Sequence, residues 1–258
     1  MDRVTRWNAL LALLTERGRL SIEDAAEHAG VSAATIRRDF DQLAEQQMLT
    51  RSRGGAVANG TGELPLRYKW SRSASEKQRI GRAAAELVPP GAVVGLNGGT
   101  TTTEVARALA ARAAVAVQAG ATTTVVTNAL NIATELAVRQ HIKIVVTGGV
   151  TRQRSYELTG PLADASLREL ALDVAVIGVD GIAADGAFAH DEGEASVNRL
   201  TVRQARRVIV VADSSKLGER ALARICPLDV VETLVTDAAA GDAAVAPFAA
   251  AGVHVVQA

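Results

Sequence analysis

The sequence predicts an α/β protein in which a small helical N-terminal domain precedes a larger domain built on a mainly parallel sheet. The first 58 residues carry apolar side chains at helical spacing, and from about residue 76 short β-branched runs alternate with helix-like segments. Near-continuous apolar strands separated by helices are typical of a parallel sheet covered on both faces. A length of 258 residues accommodates two such domains.

The composition favours a folded chain and excludes several kinds of site. Hydrophobic residues make up 48% of the chain and charged residues 22%, with a formal net charge of zero. The single cysteine excludes an internal disulfide, and the four scattered histidines lack metal-ligand spacing, so we expect neither a metal nor a cofactor. Because no apolar run is long enough for a membrane span and no signal peptide begins the chain, we expect a cytoplasmic protein.

Two short helices are predicted at the start of the chain. The first ends near Gly18 and has an apolar stripe formed by Trp7, Leu10, Leu11 and Leu14. Ser21 opens the second helix, because a serine three residues before Asp24 is a variant of the capping box, and Gly30 ends it.

A third helix, capped by Ser32, completes the pattern of a helix-turn-helix. Its apolar side chains at i, i+4 and i+7 are expected to face the core: Ile36, Phe40 and Leu43. Arg37 and Arg38 fall on other faces, and in a helix-turn-helix such side chains meet bases or phosphates in the major groove. Periodicity alone leaves open an ordinary three-helix cap with a solvated charged face.

A hairpin is predicted after the third helix. Its strands, Leu49-Thr50-Arg51 and Ala56-Val57, flank a turn at Gly54-Gly55. Arg51 and Arg53 lie near the tip, where the arginines of a wing reach phosphate or the minor groove.

The amino-acid sequence of this region resembles that of the DeoR family of bacterial winged-helix transcriptional regulators. The resemblance is carried by residues 31–43, followed by Leu49-Thr50-Arg51 and Gly54-Gly55-Ala56. Arg53 departs from the family pattern, which commonly has His there, but the wing stays basic. The predicted contacts with double-stranded operator DNA are Ser21, Ser32, Ala33, Ala34, Thr35, Arg37, Arg38, Arg51 and Arg53.

Residues 59–75 are predicted to link a DNA-binding domain at 1–58 to an effector domain at 76–258. The segment opens with Asn59-Gly60-Thr61-Gly62 and contains Pro65, which are typical of loops. Tyr68 and Trp70 are expected to dock on the larger domain, and so to pass a change there to the DNA-binding domain.

In the larger domain, six apolar runs are predicted to be strands: 92–94, 125–127, 142–146, 174–177, 208–211 and 234–236. The stretch from Ala108 to Thr124, rich in Ala and Thr, is predicted to be a variable loop. Arg203, Arg206 and Arg207 precede a strand and are interpreted as a surface or interface patch. Cys226 is interpreted as a buried small residue.

Small and polar residues follow several of these strands, at the sheet edge where open α/β sheets bind ligands. Leu96 to Thr103 precedes a helix predicted to start near Glu104, and its glycines, hydroxyls and helix N-terminus suit a phosphate. Further turns of this kind are Thr127-Asn128, Gly148-Gly149, Asp180-Gly181 and Asp213-Ser214-Ser215-Lys216. Each of these segments alone is typical of an ordinary turn. Their recurrence at the ends of successive strands favours a ligand-binding site.

This half also resembles the DeoR family, in its effector-sensing domain. The matching pieces include Gly99-Thr100-Thr101, Val126-Thr127-Asn128, Gly160-Pro161 and Gly178-Val179-Asp180-Gly181. The resemblance implies a Rossmann-like domain related to sugar-phosphate isomerases that senses phosphorylated sugars. The implied contacts are Asn97, Gly99, Thr100, Thr101, Thr127, Asn128, Gly149, Asp180, Glu194 and Lys216. Asn97 stands where the family usually has Asp. Because an amide lacks the charge of a carboxylate, we expect a different selectivity for sugar hydroxyl groups.

The leading hypothesis is a repressor of carbohydrate-metabolism genes that is a homo-oligomer and responds to a phosphorylated sugar. The alternative is a sugar-phosphate isomerase or deaminase, which needs a carboxylate base such as Asp180, Asp213 or Glu194. A DNA-binding structural protein without an effector leaves the strand-end motifs unexplained.

Overall fold

The computed structural model describes residues 2–46, 48–58, 66, 73–117 and 120–258, which fall into two compact units divided between residues 71 and 72. Tyr68, Trp70 and most of the predicted linker lie outside the described residues. The linker boundaries and the docking of these two aromatic rings therefore stay predictions.

The N-terminal unit contains the predicted three helices and hairpin. Its elements are α1 (Arg3–Arg17), β1 (Arg19–Ser21), α2 (Ile22–Ala29), α3 (Ala33–Glu45), β2 (Leu49–Ser52) and β3 (Gly55–Ala58). β3 pairs antiparallel with β2 and also with β1, a strand that the sequence did not predict. Gly55 permits this second pairing, because a Cβ there would lie 2.2 Å from the carbonyl oxygen of Leu20.

The predicted caps and core faces of these helices are confirmed. The Oγ of Ser21 accepts from the backbone N–H of Asp24, the Oγ of Ser32 accepts from that of Thr35, and Gly30 ends α2 with a φ of +63°. One core joins the three helices and the small sheet, and it includes the predicted side chains Trp7, Leu10, Leu11, Leu14, Ile36, Phe40 and Leu43.

The larger unit alternates strands and helices. Its helices are α4 (Ala74–Glu86), α5 (Thr100–Ala116), α6 (Leu130–Ala137), α7 (Pro161–Arg168), α8 (Glu192–Arg203) and α9 (Asp242–Ala250). Its strands are β4 (Val93–Leu96), β5 (Thr123–Thr127), β6 (Ile142–Val146), β7 (Val150–Thr151), β8 (Leu158–Thr159), β9 (Leu172–Gly178), β10 (Gly181–Ala183), β11 (Gly186–Ala189), β12 (Ala205–Val211), β13 (Ala223–Cys226), β14 (Thr233–Thr236) and β15 (His254–Gln257).

The main sheet has the strand order β15-β14-β12-β9-β4-β5-β6, and every neighbouring pair is parallel. All six predicted strands belong to it, and β15 was not predicted. From β4 the chain adds β5 and β6 on one side, and then β9, β12, β14 and β15 on the other. The order therefore reverses between β4 and β9, and ligands of open α/β sheets bind in the crevice at such a switch point.

Helices cover both faces of this sheet, as predicted. One core lies between the sheet and α4, α5 and α6, and a second lies on the other face, where α9 contributes Phe248. On this second face β10, β11 and β13 form a small antiparallel sheet, which the sequence did not predict.

The predicted variable loop from Ala108 to Thr124 is wrong. α5 continues to Ala116 and β5 begins at Thr123, so most of the stretch is regular structure. Alanine has the highest helix propensity, and Leu109 and Ala113 are buried against the sheet, so an alanine-rich sequence forms a packed helix here.

Candidate functional site

The outer face of α3 presents the predicted DNA-reading side chains. Ala34, Arg37 and Arg38 are exposed, while Ile36 and Phe40 between and beyond them are buried completely. Ser32 and Thr35 are engaged at the helix start, because the Oγ of Ser32 accepts from the backbone N–H of Thr35. Arg37 and Arg38 are the two basic residues of α3.

Asp39 fixes the position of α3 against α1. Its Oδ2 accepts from Nε of Arg6 at 2.6 Å, and its Oδ1 accepts from Nε1 of Trp7 at 2.8 Å. Asp39 is 3% exposed, and its charge and hydrogen bonds raise the pKa of Arg6. A largely buried ion pair that also satisfies the indole N–H therefore holds α3 against α1, with Arg37 and Arg38 on the exposed side of α3.

The two arginines predicted for the wing differ in their surroundings. Arg53 is exposed at the turn beside Gly54, whose φ is +83°. Arg51 is partly exposed and is held by neighbouring groups: its Nη1 donates to the carbonyl oxygen of Gly55 at 3.0 Å, and its Nε lies 2.9 Å from Oδ1 of Asp41. Its guanidinium also lies 5.7 Å from the ring centroid of Phe40. Arg53 is thus the more available cation of the wing.

In the larger unit, the strand-end site comprises the residues that follow β4, β5, β6, β9 and β12, together with Glu194 of α8. Asn97 lies at the switch point, 3% exposed. Its Nδ2 donates to the carbonyl oxygen of Gly178 at 3.0 Å, and its Oδ1 accepts from the backbone N–H of Gly178 at 2.8 Å. Asn97 therefore ties the end of β4 to the end of β9, with one N–H and one lone pair left over.

The threonines after Asn97 belong to a helix. α5 starts at Thr100 and not near Glu104, so the predicted start is wrong by one turn. Thr102 and Thr103 donate their hydroxyl hydrogens to the carbonyl oxygen of Gly99, whose φ is +143°. No side chain caps the N-terminus, so the backbone N–H groups of Thr100 and Thr101 form the positive end of the helix dipole.

Thr127 and Asn128 fasten neighbouring backbone at the end of β5. The Oγ1 of Thr127 accepts from the backbone N–H of Ala129 at 3.1 Å. Nδ2 of Asn128 lies 3.0 Å from Oε2 of Glu157 and 3.2 Å from the carbonyl oxygen of Leu158, and it donates to both. Asn128 thereby holds the β7–β8 hairpin against the strand ends.

Glu157 is a residue of the strand-end site that the sequence analysis missed. It is 2% exposed and packs so closely on Gly98 that a Cβ there would lie 2.4 Å from Cγ of Glu157. Burial raises the pKa of Glu157 well above its usual range, and the charges of Glu194 and Asp180 add to this effect. The protonated form is therefore favoured, and it can donate a hydrogen bond.

Arg152 on the same hairpin was also missed. Its Nη1 lies 2.8 Å from Oε1 of Glu194, and its Nε lies 3.0 Å from Oδ2 of Asp191. Asp191 also caps α8, because its Oδ1 accepts from the backbone N–H of Glu194 at 3.0 Å. The only sequence signal for Arg152 and Glu157 was their charge, within a short segment between two glycine turns.

The other predicted contacts lie at the remaining strand ends. Asp180 follows β9 and accepts from the backbone N–H of His190 at 3.0 Å. Gly149 follows β6 with a φ of +124°, and a Cβ there would lie 2.8 Å from the carbonyl oxygen of Thr159. Lys216 lies half-buried in a short 3₁₀ helix after β12, whose start is capped by Asp213.

The strand-end site thus combines groups suited to two parts of a ligand. Lys216 and the N-terminus of α5 favour an anion, and the acids Glu157, Asp180 and Glu194 can hydrogen-bond hydroxyl groups. Arg152 is paired with Glu194 and Asp191 and holds these two carboxylates in place. The described contacts join Asn97 to Gly178 and Asn128 to Glu157, across long separations in sequence.

Two further features limit the chemistry. Cys226 is buried, as predicted, and burial raises the pKa of its thiol to about 11, which disfavours the nucleophilic thiolate. Within the part of the chain that the structure describes, no group of three or more His, Cys, Asp or Glu side chains could hold a metal ion, and no helix is long and apolar enough to cross a membrane.

Comparison with known proteins matches both units to family models. Residues 6–61 match the "DeoR-like helix-turn-helix domain" and residues 72–238 match the "DeoR C terminal sensor domain". A ribose 5-phosphate isomerase from Methanocaldococcus jannaschii aligns with 56% of this chain and 54% of its own at 20% identity and a TM-score of 0.40, which is too distant to carry an argument.

Curated relatives match along nearly the whole chain. The glycerol-3-phosphate regulon repressor of Escherichia coli (strain K12) is 32% identical over 92% of this chain and 92% of its own. The HTH-type transcriptional repressor GlcR of Bacillus subtilis (strain 168) is 32% identical over 92% of this chain and 89% of its own. The HTH-type transcriptional regulator GlpR of Haloferax volcanii is 32% identical over 90% and 89%.

Proposed function

Since this chain belongs to the DeoR family of DNA-binding transcriptional regulators, we propose that it represses carbohydrate-metabolism genes and that a phosphorylated sugar or related metabolite controls its binding to the operator. The family match covers both units, and the relatives are named as regulators and repressors, not as enzymes. The isomerase or deaminase alternative therefore falls behind the regulator hypothesis.

The exposed arginines of α3 carry the DNA-binding part of the proposal. Arg37 and Arg38 project from the exposed face of a helix that Asp39 fixes against α1, so the cations are placed before DNA arrives. A helix with basic side chains near its start suits the major groove. Arg53 at the turn would supply a further phosphate contact, and Arg51, which is partly exposed and bonded to Gly55, would supply a more constrained one.

Replacing Arg37 and Arg38 with alanine tests this assignment. We expect weaker operator binding and a salt dependence that falls by up to about one unit per lost phosphate contact, measured by fluorescence anisotropy at several salt concentrations. The matched control replaces Arg17 and Arg19, which are exposed on the same unit but off α3. Equal operator affinity in the two double variants would refute the assignment.

The strand-end site is proposed to bind the effector. The phosphate would lie at the N-terminus of α5 near Gly99, Thr100 and Thr101, with Lys216 as its cation. The remaining predicted contacts, with Glu157 added, would surround the sugar: Asn97, Thr127, Asn128, Gly149, Asp180 and Glu194. The supporting observation is that these groups follow successive parallel strands on both sides of the switch point.

A thermal-shift screen of phosphorylated sugars and glycerol 3-phosphate tests this site, because a ligand that binds only the folded state raises the apparent stability. With the compound found, Lys216→Ala is expected to weaken its binding by calorimetry and to leave operator affinity unchanged. Lys143→Ala, exposed on the edge strand β6, is the control that removes the same charge. Wild-type affinity in Lys216→Ala would refute this placement of the phosphate.

We also propose a cytoplasmic homo-oligomer, at least a dimer. One helix-turn-helix reads one operator half-site, and symmetric pairing is the usual route to a second. Light scattering at micromolar concentration is expected to report at least twice the 26.8 kDa chain mass. A monomer that retains full operator affinity would contradict this.

A further inference from the structure

A groove on the larger unit lies apart from the strand ends, between α8 and β13. Its volume is about 580 Å³, within the range of roughly 300–1,000 Å³ that is usual for sites of small molecules. We call it the arginine groove, because the side chains of Arg199, Arg203 and Arg224 line it. None of the family-derived contacts lies among its lining residues.

The three guanidinium groups of the arginine groove have no carboxylate partner among the described residues. Arg199 donates to the backbone oxygen of Arg224 at 2.5 Å, and Arg224 to the backbone oxygen of Asp185 at 3.5 Å. Elsewhere on the same unit arginines are commonly paired, as in the ion pairs of Arg107, Arg152, Arg207 and Arg220. Positive charges that line one groove repel one another, so an anion bound in the groove would relieve this repulsion.

The floor of the arginine groove is apolar. Val202 and Ile225 are buried beneath it, and Val230 at its rim is 43% exposed. Cys226 also lines it, and because burial raises the pKa of the thiol to about 11, the thiol adds no negative charge. The charges that act on this thiol come from one acid, Asp229, and from two of the arginines, Arg224 and Arg199.

We propose that the arginine groove is a second ligand site, which binds a small organic anion with an apolar body, such as an aromatic or branched-chain carboxylate. Guanidinium groups recognise a carboxylate with paired hydrogen bonds, and the valine and isoleucine side chains cover an apolar body. A sugar phosphate fits poorly, because the floor offers its hydroxyl groups no partners. The evidence for this groove does not rest on the proposed sugar-phosphate function.

This second site has a direct connection to the strand-end site. α8 carries Glu194 in its first turn and Arg199 five residues later, a separation of about 7.5 Å along the helix axis. An anion on Arg199 and Arg203 would therefore act on the helix that also positions Glu194.

The test uses the dye 8-anilinonaphthalene-1-sulfonate, an apolar body with one anionic group, and N-phenyl-1-naphthylamine, the same body without the sulfonate. Fluorescence titration of the full chain is expected to show saturable binding of the anionic dye at one site per chain. Arg203→Gln with Arg224→Gln should weaken it by about tenfold or more, because charge-assisted hydrogen bonds are lost. Binding of the uncharged dye should not change between wild type and this variant.

The matched control is Arg82→Gln with Arg168→Gln, which removes two exposed charges elsewhere on the same unit and should leave the dye affinity within about twofold of wild type. Circular dichroism checks that both variants fold. The proposal is overturned if wild type does not bind the anionic dye, if the uncharged dye binds as tightly, or if the two variants behave alike. A fall in molecular mass of the groove variant by light scattering also overturns it, since the groove would then be an interface between copies.

Discussion

Replacing Asn97 with aspartate tests the structural role of this side chain at the switch point. The amide of Asn97 makes two hydrogen bonds to one residue, donating to the carbonyl oxygen of Gly178 at 3.0 Å and accepting from its N–H at 2.8 Å. An ionised carboxylate keeps the acceptor but has no hydrogen to donate. It would therefore place a negative charge against the carbonyl of Gly178 in a position where the side chain is 3% exposed.

The expected loss follows from this one bond. Leaving a buried acceptor unpaired costs about 1–3 kcal/mol. For a unit of about this size, each kcal/mol lowers the melting temperature by roughly 2–4 °C, so Asn97→Asp should melt about 2–12 °C below wild type at pH 8. The control Gln204→Glu also removes an amide that donates to a backbone oxygen, that of Arg168, but at an exposed site, and should cost less than about 0.5 kcal/mol.

The pH dependence gives the sharper test. The protonated form of the new carboxyl group can donate to Gly178 again, so folding raises its pKa above the unfolded value of about 3.9. The stability that protonation restores is present below the unfolded pKa and is lost as the pH rises through the folded pKa. Urea unfolding at pH 5 and pH 8 should show a smaller deficit at pH 5. A variant as stable as wild type at pH 8, or a deficit that does not narrow at pH 5, would refute the reasoning.

Two further substitutions test buried acids. Because folding raises the pKa of Glu157, the free energy of unfolding falls by about 1.4 kcal/mol for each pH unit between the unfolded and the folded pKa of this carboxyl group. Glu157→Gln should therefore gain stability relative to wild type in thermal melts as the pH rises above the unfolded pKa of about 4.3, and parallel curves would contradict this. Asp39→Ala removes the buried carboxylate that accepts from Nε of Arg6 and from Nε1 of Trp7, so we expect a loss of about 3 kcal/mol in the N-terminal unit. Hydrogen exchange should become faster in α1 and α3 but not in the larger unit, and unchanged protection of α3 would count against the role of Asp39.

Local sequence patterns predicted helices and strands correctly where the pattern is typical of only one kind of element. Ser21, Ser32 and Gly30 act as caps because capping depends on atoms within a few residues. The error at Ala108 to Thr124 came from interpreting low sequence variety as a loop, although alanine favours helix in a packed setting. The short strands β1, β7, β8 and β10 were missed because two or three residues carry too little periodicity to detect.

The sequence by itself indicated two units, the exposed face of α3 that carries Arg37 and Arg38, and the strand ends of the candidate site, because repeating apolar positions and glycine turns are local properties. Only the tertiary structure decided what each polar side chain contacts. Asn97 bonds to Gly178 across 81 positions, and Asn128 to Glu157 across 29. Glu157 and Arg152 belong to the site because a short hairpin folds onto the strand ends. Such contacts depend on strand register and on burial, which bring together residues that are distant in the sequence. They produce no repeating pattern of residues from which the sequence alone could predict them.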